Sequence, residues 1–84
     1  MDIKIGEKYI YVLSNEIDSY ADKNLVGHSC TVTGRHPSAD HEKHLGYNVV
    51  FDDGDRYFLY DAELMSLKTF NNLAKSVEKI NIIM

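Results

Sequence analysis

Three stretches between Lys8 and Tyr60 carry the β-branched, aromatic and two-residue patterning of β-strands, and near the chain's end hydrophobic positions recur at helical spacing. In Lys8–Leu13 both alternating sets are apolar, Tyr9, Tyr11 and Leu13 on one side and Ile10 and Val12 on the other. That pattern predicts a strand buried on both faces, or one that exposes aromatic rings. His28–Thr33 alternates cleanly, with Cys30 and Val32 on one face and Ser29, Thr31 and Thr33 on the other. Gly46–Tyr60 holds two runs of β-branched and aromatic residues around Asp53-Gly54. Asp-Gly suits the two central positions of a type I′ turn, whose twist matches the strands it joins. Such a turn sets Phe51 opposite Arg56, Val49 opposite Phe58 and Tyr47 opposite Tyr60. Tyr47, Val49, Phe51, Phe58 and Tyr60 would then line the core, and Val50, Tyr57 and Leu59 the other face.

Between these strands lie two polar stretches. Ser14–Asn24 reads as a long loop pinned by Ile17, Tyr20 and Ala21, and Gly34–Leu45 as a second loop that carries the only proline, Pro37. Asp61–Met65 reads as a turn or a single helical turn. Ser66 can cap a helix running to about Lys79, in which Leu67, Phe70, Leu73, Ala74 and Val77 form one apolar stripe. Ile80–Met84 is an apolar tail that must pack on the domain, add a strand to an edge, or meet another copy. The chain thus divides into a β-rich part, 1–65, and a helix with its tail, 66–84, packed on that part or on a second copy as a homodimer contact.

Eighty-four residues make a single domain with a small core. Nine Lys and Arg against thirteen Asp and Glu give a net charge of −4, which argues against a broad nucleic-acid surface and suits a basic protein partner. Cys30 is the only cysteine, so no intramolecular disulfide and no four-cysteine zinc site can form. The first residues lack a signal-peptide pattern, and no apolar run is long enough to span a bilayer. A soluble cytoplasmic protein with no membrane contact is the expectation.

Residues 5–65 resemble the SH3-like small barrels, in particular their KOW- and Tudor-type members. The resemblance is carried by Gly6-Glu7-Lys8-Tyr9-Ile10-Tyr11-Val12, by Val26-Gly27-His28-Ser29-Cys30-Thr31-Val32-Thr33, by Tyr47-Asn48-Val49-Val50-Phe51-Asp52-Asp53-Gly54, and by Tyr57-Phe58-Leu59-Tyr60-Asp61-Ala62-Glu63-Leu64. It implies a mostly β fold: a small barrel of about five antiparallel strands with a C-terminal α-helix added. Barrels of this shape bind RNA, DNA, proline-rich peptides, methylated side chains or proteins, so the resemblance carries architecture and not a ligand. It also implies two recognition loops, here Ser14–Asn24 and Gly34–Leu45, beside an exposed strand surface.

Four constellations could carry chemistry. His36, Asp40, His41 and His44, with His28 and Cys30 nearby, could hold a transition metal, but their spacing fits no zinc signature and a solvated connector accounts for them as well. Asp52, Asp53 and Asp55 lack calcium-loop spacing and suit a hairpin turn; Asp61 and Glu63 could extend them into an acidic patch. Tyr9, Tyr11, Tyr20, Tyr47, Tyr57 and Tyr60 could supply a cation-binding cage, although so small a core needs most of these rings for packing. Cys30 and His28 could pair as thiolate and imidazole, yet Cys30 is in phase with Val32 and reads as a buried hydrophobe.

The sequence thus predicts a non-catalytic binding module, without cofactor or metal, whose partner is a protein. Tyr20, Arg35, His36, His41, His44, Arg56 and Tyr57 are the candidate partner-binding residues. A small acidic module of this kind also matches the inhibitors with which phages and mobile elements occupy the basic groove of a host nuclease or defence complex. The alternatives are a KOW-like nucleic-acid-binding module, with Lys23, Arg35, Lys43 and Arg56 on phosphates, and a metal-binding protein built on the His36–His44 loop.

Overall fold

The computed structural model describes residues 2–83, with residues 76–83 described by their backbone. Its strands are β1 (Lys8–Tyr11), β2 (Ser29–Arg35), β3 (Gly46–Phe51), β4 (Arg56–Tyr60) and β5 (Leu64–Ser66), followed by the helix α1 (Leu67–Ile83). They form one antiparallel five-stranded sheet in the order β4-β3-β2-β1-β5, so the last strand returns to lie beside the first. The protein is mostly β with a C-terminal helix, as its patterning predicts. The expected barrel, however, is not closed: β4 and β5 are the sheet's two edges among the described residues. β5 is three residues long, all three pair with β1, and α1 begins at the next residue. Among the described residues no further strand bridges β4 to β5 to close the sheet.

The hairpin differs from expectation by one residue. Val50 faces Arg56, Val49 faces Tyr57, Asn48 faces Phe58 and Tyr47 faces Leu59. The turn is not the two-residue type I′ turn. Gly54 N–H donates to Phe51 O (2.9 Å) and Phe51 N–H to Asp55 O (2.8 Å), which closes a three-residue loop, Asp52-Asp53-Gly54. Gly54 takes φ +93° while Asp53 keeps a negative φ. This is a type I turn followed by a glycine bulge, a frequent hairpin geometry. Because strand side chains alternate, one residue of register exchanges the two faces of β4. Leu59 is fully buried and Tyr57 packs on the core, whereas Phe58 points to the opposite face.

Tyr9, Tyr11, Cys30, Val32, Tyr47, Val49, Phe51, Leu59 and Leu64 make the core, with Ala21 from the long loop packed among them. Tyr11 hydrogen-bonds to the Ser19 hydroxyl and donates to the Ala21 carbonyl (3.4 Å), which fastens the Ser14–Asn24 loop to β1. Ile10, on the other face of β1, is also buried. Near it Val12 and Met65 meet Phe70, Leu73 and Ala74 of α1 around an apolar groove of about 420 Å³. Ser66 caps α1 by accepting a hydrogen bond from Thr69 N–H (3.1 Å). The helix runs through Ile83, so the tail expected from Ile80 onward continues the helix and is not a strand; Met84 and the side chain of Val77 lie outside the described residues. The apolar stripe is lightly covered: Leu67, Phe70 and Leu73 are exposed.

Candidate recognition surface

Phe58, turned outward by the hairpin register, is the centre of an aromatic cluster. Tyr20 leans on it with ring centroids 5.1 Å apart. His36 stacks on it at 5.0 Å with the planes 6° from parallel, and Tyr60 meets it edge-on at 5.9 Å. These rings come from three places: the Ser14–Asn24 loop, the residue just after β2 and the outer face of β4. Tyr60 is buried, Phe58 and His36 are half-buried, and Tyr20 is 70% exposed.

Tyr20 borders three shallow clefts. One of about 390 Å³ lies toward His36, Asp40, His41 and Tyr60. A second, about 340 Å³, runs between Tyr20, Asn48, Arg56, Tyr57 and Phe58. The third, about 220 Å³, is walled by Glu16, Ile17, Asp18, His41 and Tyr60. Asp18, which lines it, has no hydrogen-bond partner among the described residues. Burial, and after it the negative field of Tyr20, Glu63 and Asp40, raises the Tyr60 phenol above its ordinary value.

The second loop is held in place by its own polar groups. A bulge between Val32 and Gly34 carries β2 on to Arg35, two residues past the expected end of the strand, and sets Arg35 opposite Tyr47. The Arg35 guanidinium lies 5.2 Å above the Tyr47 ring, donates from Nε to Gly46 O (3.2 Å), and pairs with Asp40 at 2.7 Å. Asp40 also accepts from Gly46 N–H (2.7 Å). A Cβ at Gly46 would sit 2.8 Å from His36 O, so this close crossing of two backbones requires glycine. Pro37 opens the 3₁₀ turn Pro37–Ala39 just after His36, where its missing N–H costs nothing.

No family model, curated protein or solved structure matches this chain. Of the candidate partner-binding residues, Tyr20, His36, His41, Arg56 and Tyr57 line the clefts around the cluster. Arg35 and His44 do not: Arg35 is committed to Asp40, Gly46 and Tyr47, and His44 lies between Glu16 and Asp61 at 13% side-chain exposure. Phe58 is the residue that sequence reasoning missed, because the assumed turn placed it in the core. The signal was present in Asp52-Asp53-Gly54, where a glycine after two turn-forming residues suits the longer loop.

The other constellations resolve into structural roles. Among the described residues no three His, Cys, Asp or Glu side chains are grouped to hold a metal. Cys30 is fully buried, and burial, then Asp52, pushes its thiol up to about 12, so it cannot act as a thiolate. Asp52 accepts from Ser29 (2.6 Å) and pairs with Lys8 (3.2 Å); the Ser29 hydroxyl and then Lys8 hold its carboxyl below the usual range. Asp53 accepts from Asp55 N–H (3.0 Å) within the turn. Glu63 cannot extend an acidic surface patch: it is 1% exposed and accepts from Tyr60 N–H (3.0 Å). Of the six tyrosines weighed as a cage, Tyr9, Tyr11 and Tyr47 pack in the core, as so small a domain requires. Among the described residues no helix is long and apolar enough to cross a membrane.

Proposed function

We propose that this chain is a non-catalytic recognition module that binds a protein partner through the surface centred on Tyr20 and Phe58. The observation that carries this reading is Tyr20: a large ring, 70% exposed, held on a rigid sheet by another ring and bordered by three clefts. Exposed tyrosines fixed in this way supply much of the energy at protein interfaces, because they bury a large area at little cost in side-chain entropy. The return of β5 to lie beside β1 supports reading the sheet as an SH3-like small barrel left open between β4 and β5. The net charge of −4, with Glu16 and Asp18 beside Tyr20, favours a basic partner, and an inhibitor that covers the basic groove of a nuclease or defence complex is one form such a module takes.

The test is affinity capture from cells of the organism that encodes the protein, with wild type and Tyr20→Ala side by side. A defined partner held by wild type and lost by Tyr20→Ala is the expected result. Capture of the same proteins by both, or release of nucleic acid and not protein, would remove the reading.

A further inference from the structure

His44 makes two contacts that a neutral histidine cannot satisfy together. Its Nδ1 lies 3.0 Å from Asp61 Oδ1, and its Nε2 lies 2.9 Å from Glu16 Oε2. Both partners are carboxylates, which accept hydrogen bonds and donate none when ionised. A neutral imidazole carries a single N–H, so one of its nitrogens would turn a lone pair toward an oxygen anion. Only the imidazolium donates to both. The backbone of His44 is fixed independently by reciprocal hydrogen bonds with His41 (2.8 and 3.0 Å).

The two carboxylates are not held equally. Asp61 also accepts from Ala62 N–H (2.7 Å) and Leu45 N–H (3.4 Å) and is 29% exposed. Glu16 is 60% exposed, and His44 is the only partner of its side chain among the described residues. When the proton leaves, the Asp61 contact survives with Nδ1 as donor, and the Glu16 contact breaks. Glu16 belongs to the loop that carries Tyr20, and with Asp18 it walls one of the clefts. The other end of that loop is tied down by Ser19 and the buried Ala21, which do not titrate.

We infer that His44 is a proton-operated latch: protonated, it clamps Glu16 and closes the wall of the cleft beside Tyr20; neutral, it frees the loop from Ser14 to Asp18. Among the described residues the titratable groups facing the ring are Asp61, from the turn after β4, and Glu16, from the loop. The hydrogen bond to Asp61 first, and then Glu16, lift the imidazole above its ordinary 6.5. The latch is therefore closed below that value and opens as pH rises through the elevated one. Its consequence for partner binding rests on the recognition surface proposed above, but the latch is read without any partner.

The test follows the His44 ring protons and the backbone order of residues 15–18 by NMR across pH in the intact protein. Order parameters are expected to fall from about 0.85 toward 0.6 or below in the same titration that deprotonates His44. His44→Gln should abolish the transition. Glu16→Gln should keep the loop ordered at high pH, because a carboxamide N–H can donate to the neutral Nε2. A loop whose order ignores the His44 titration, or changes equally in His44→Gln, overturns the latch. Neither result bears on capture by Tyr20, so this inference and the recognition reading fail separately.

Discussion

His36 lies flat on Phe58, the rings 5.0 Å apart and 6° from parallel, although one follows the end of β2 and the other sits in mid-β4. Tyr20 approaches the same ring at 5.1 Å. Phe58 is thus a platform and Tyr20 the group displayed on it, and substitution should separate the two roles. Tyr20→Ala should cost at most about 1 kcal/mol, the worth of one exposed aromatic pair. Phe58→Ala should cost about 2 kcal/mol, because it removes a half-buried ring and every stacking contact in the cluster. Urea unfolding of both variants checks the difference.

Gly46 carries the crossing of β3 beneath the second loop. Gly46→Ala would force a methyl against His36 O at 2.8 Å and Ala39 Cβ at 3.0 Å. Backbone cannot yield as a flexible side chain does, so a loss of about 1–3 kcal/mol is expected. Gly34→Ala is the control. Nothing lies within 4 Å of its added Cβ and its φ is not positive, so it should change stability by less than about 1 kcal/mol. Equal losses in the two variants would contradict the described crossing.

Stability should depend on pH through His44. Its contacts with Asp61 and Glu16 raise the folded-state pKa above the ordinary 6.5, so the folded state binds the proton more tightly than the unfolded chain. The contribution is fully present below 6.5 and is lost as pH rises through the elevated value. The urea midpoint should therefore decline across that window in wild type, with the decline absent from His44→Gln.

Cys30 should behave as a core residue. It is fully buried, and its thiol is pushed up to about 12. A thiol-specific reagent at pH 8 should leave the folded protein unmodified and label it fully in denaturant; prompt labelling of the native state would contradict the assignment.

Much of the frame was legible from local pattern. Alternation at Cys30 and Val32 named the inner face of β2, and Ser66 with the Leu67–Phe70–Leu73 spacing named the start of α1. What escaped was non-local or turned on a single residue. The bulge at Thr33 interrupts the alternation that would have carried β2 to Arg35. The partners of His44, Glu16 and Asp61, lie far from it in the chain, so a histidine-rich loop looked like a metal site or a solvated connector. The two loops that flank the candidate surface were visible in the sequence, but Phe58 at its centre was hidden by the assumed turn.

That turn bears the most weight, because the outward position of Phe58 depends on it. In the described ladder Asn48 and Phe58 form a non-hydrogen-bonded pair, in which facing Cα atoms approach to about 4.5 Å. A nuclear Overhauser spectrum tests this directly. A strong Hα–Hα contact between Asn48 and Phe58, with contacts from the Phe58 ring to Tyr20 and His36, is the expected result. An Hα–Hα contact between Val49 and Phe58, with the Phe58 ring close to Val32 and Leu64, would return Phe58 to the core and contradict the account.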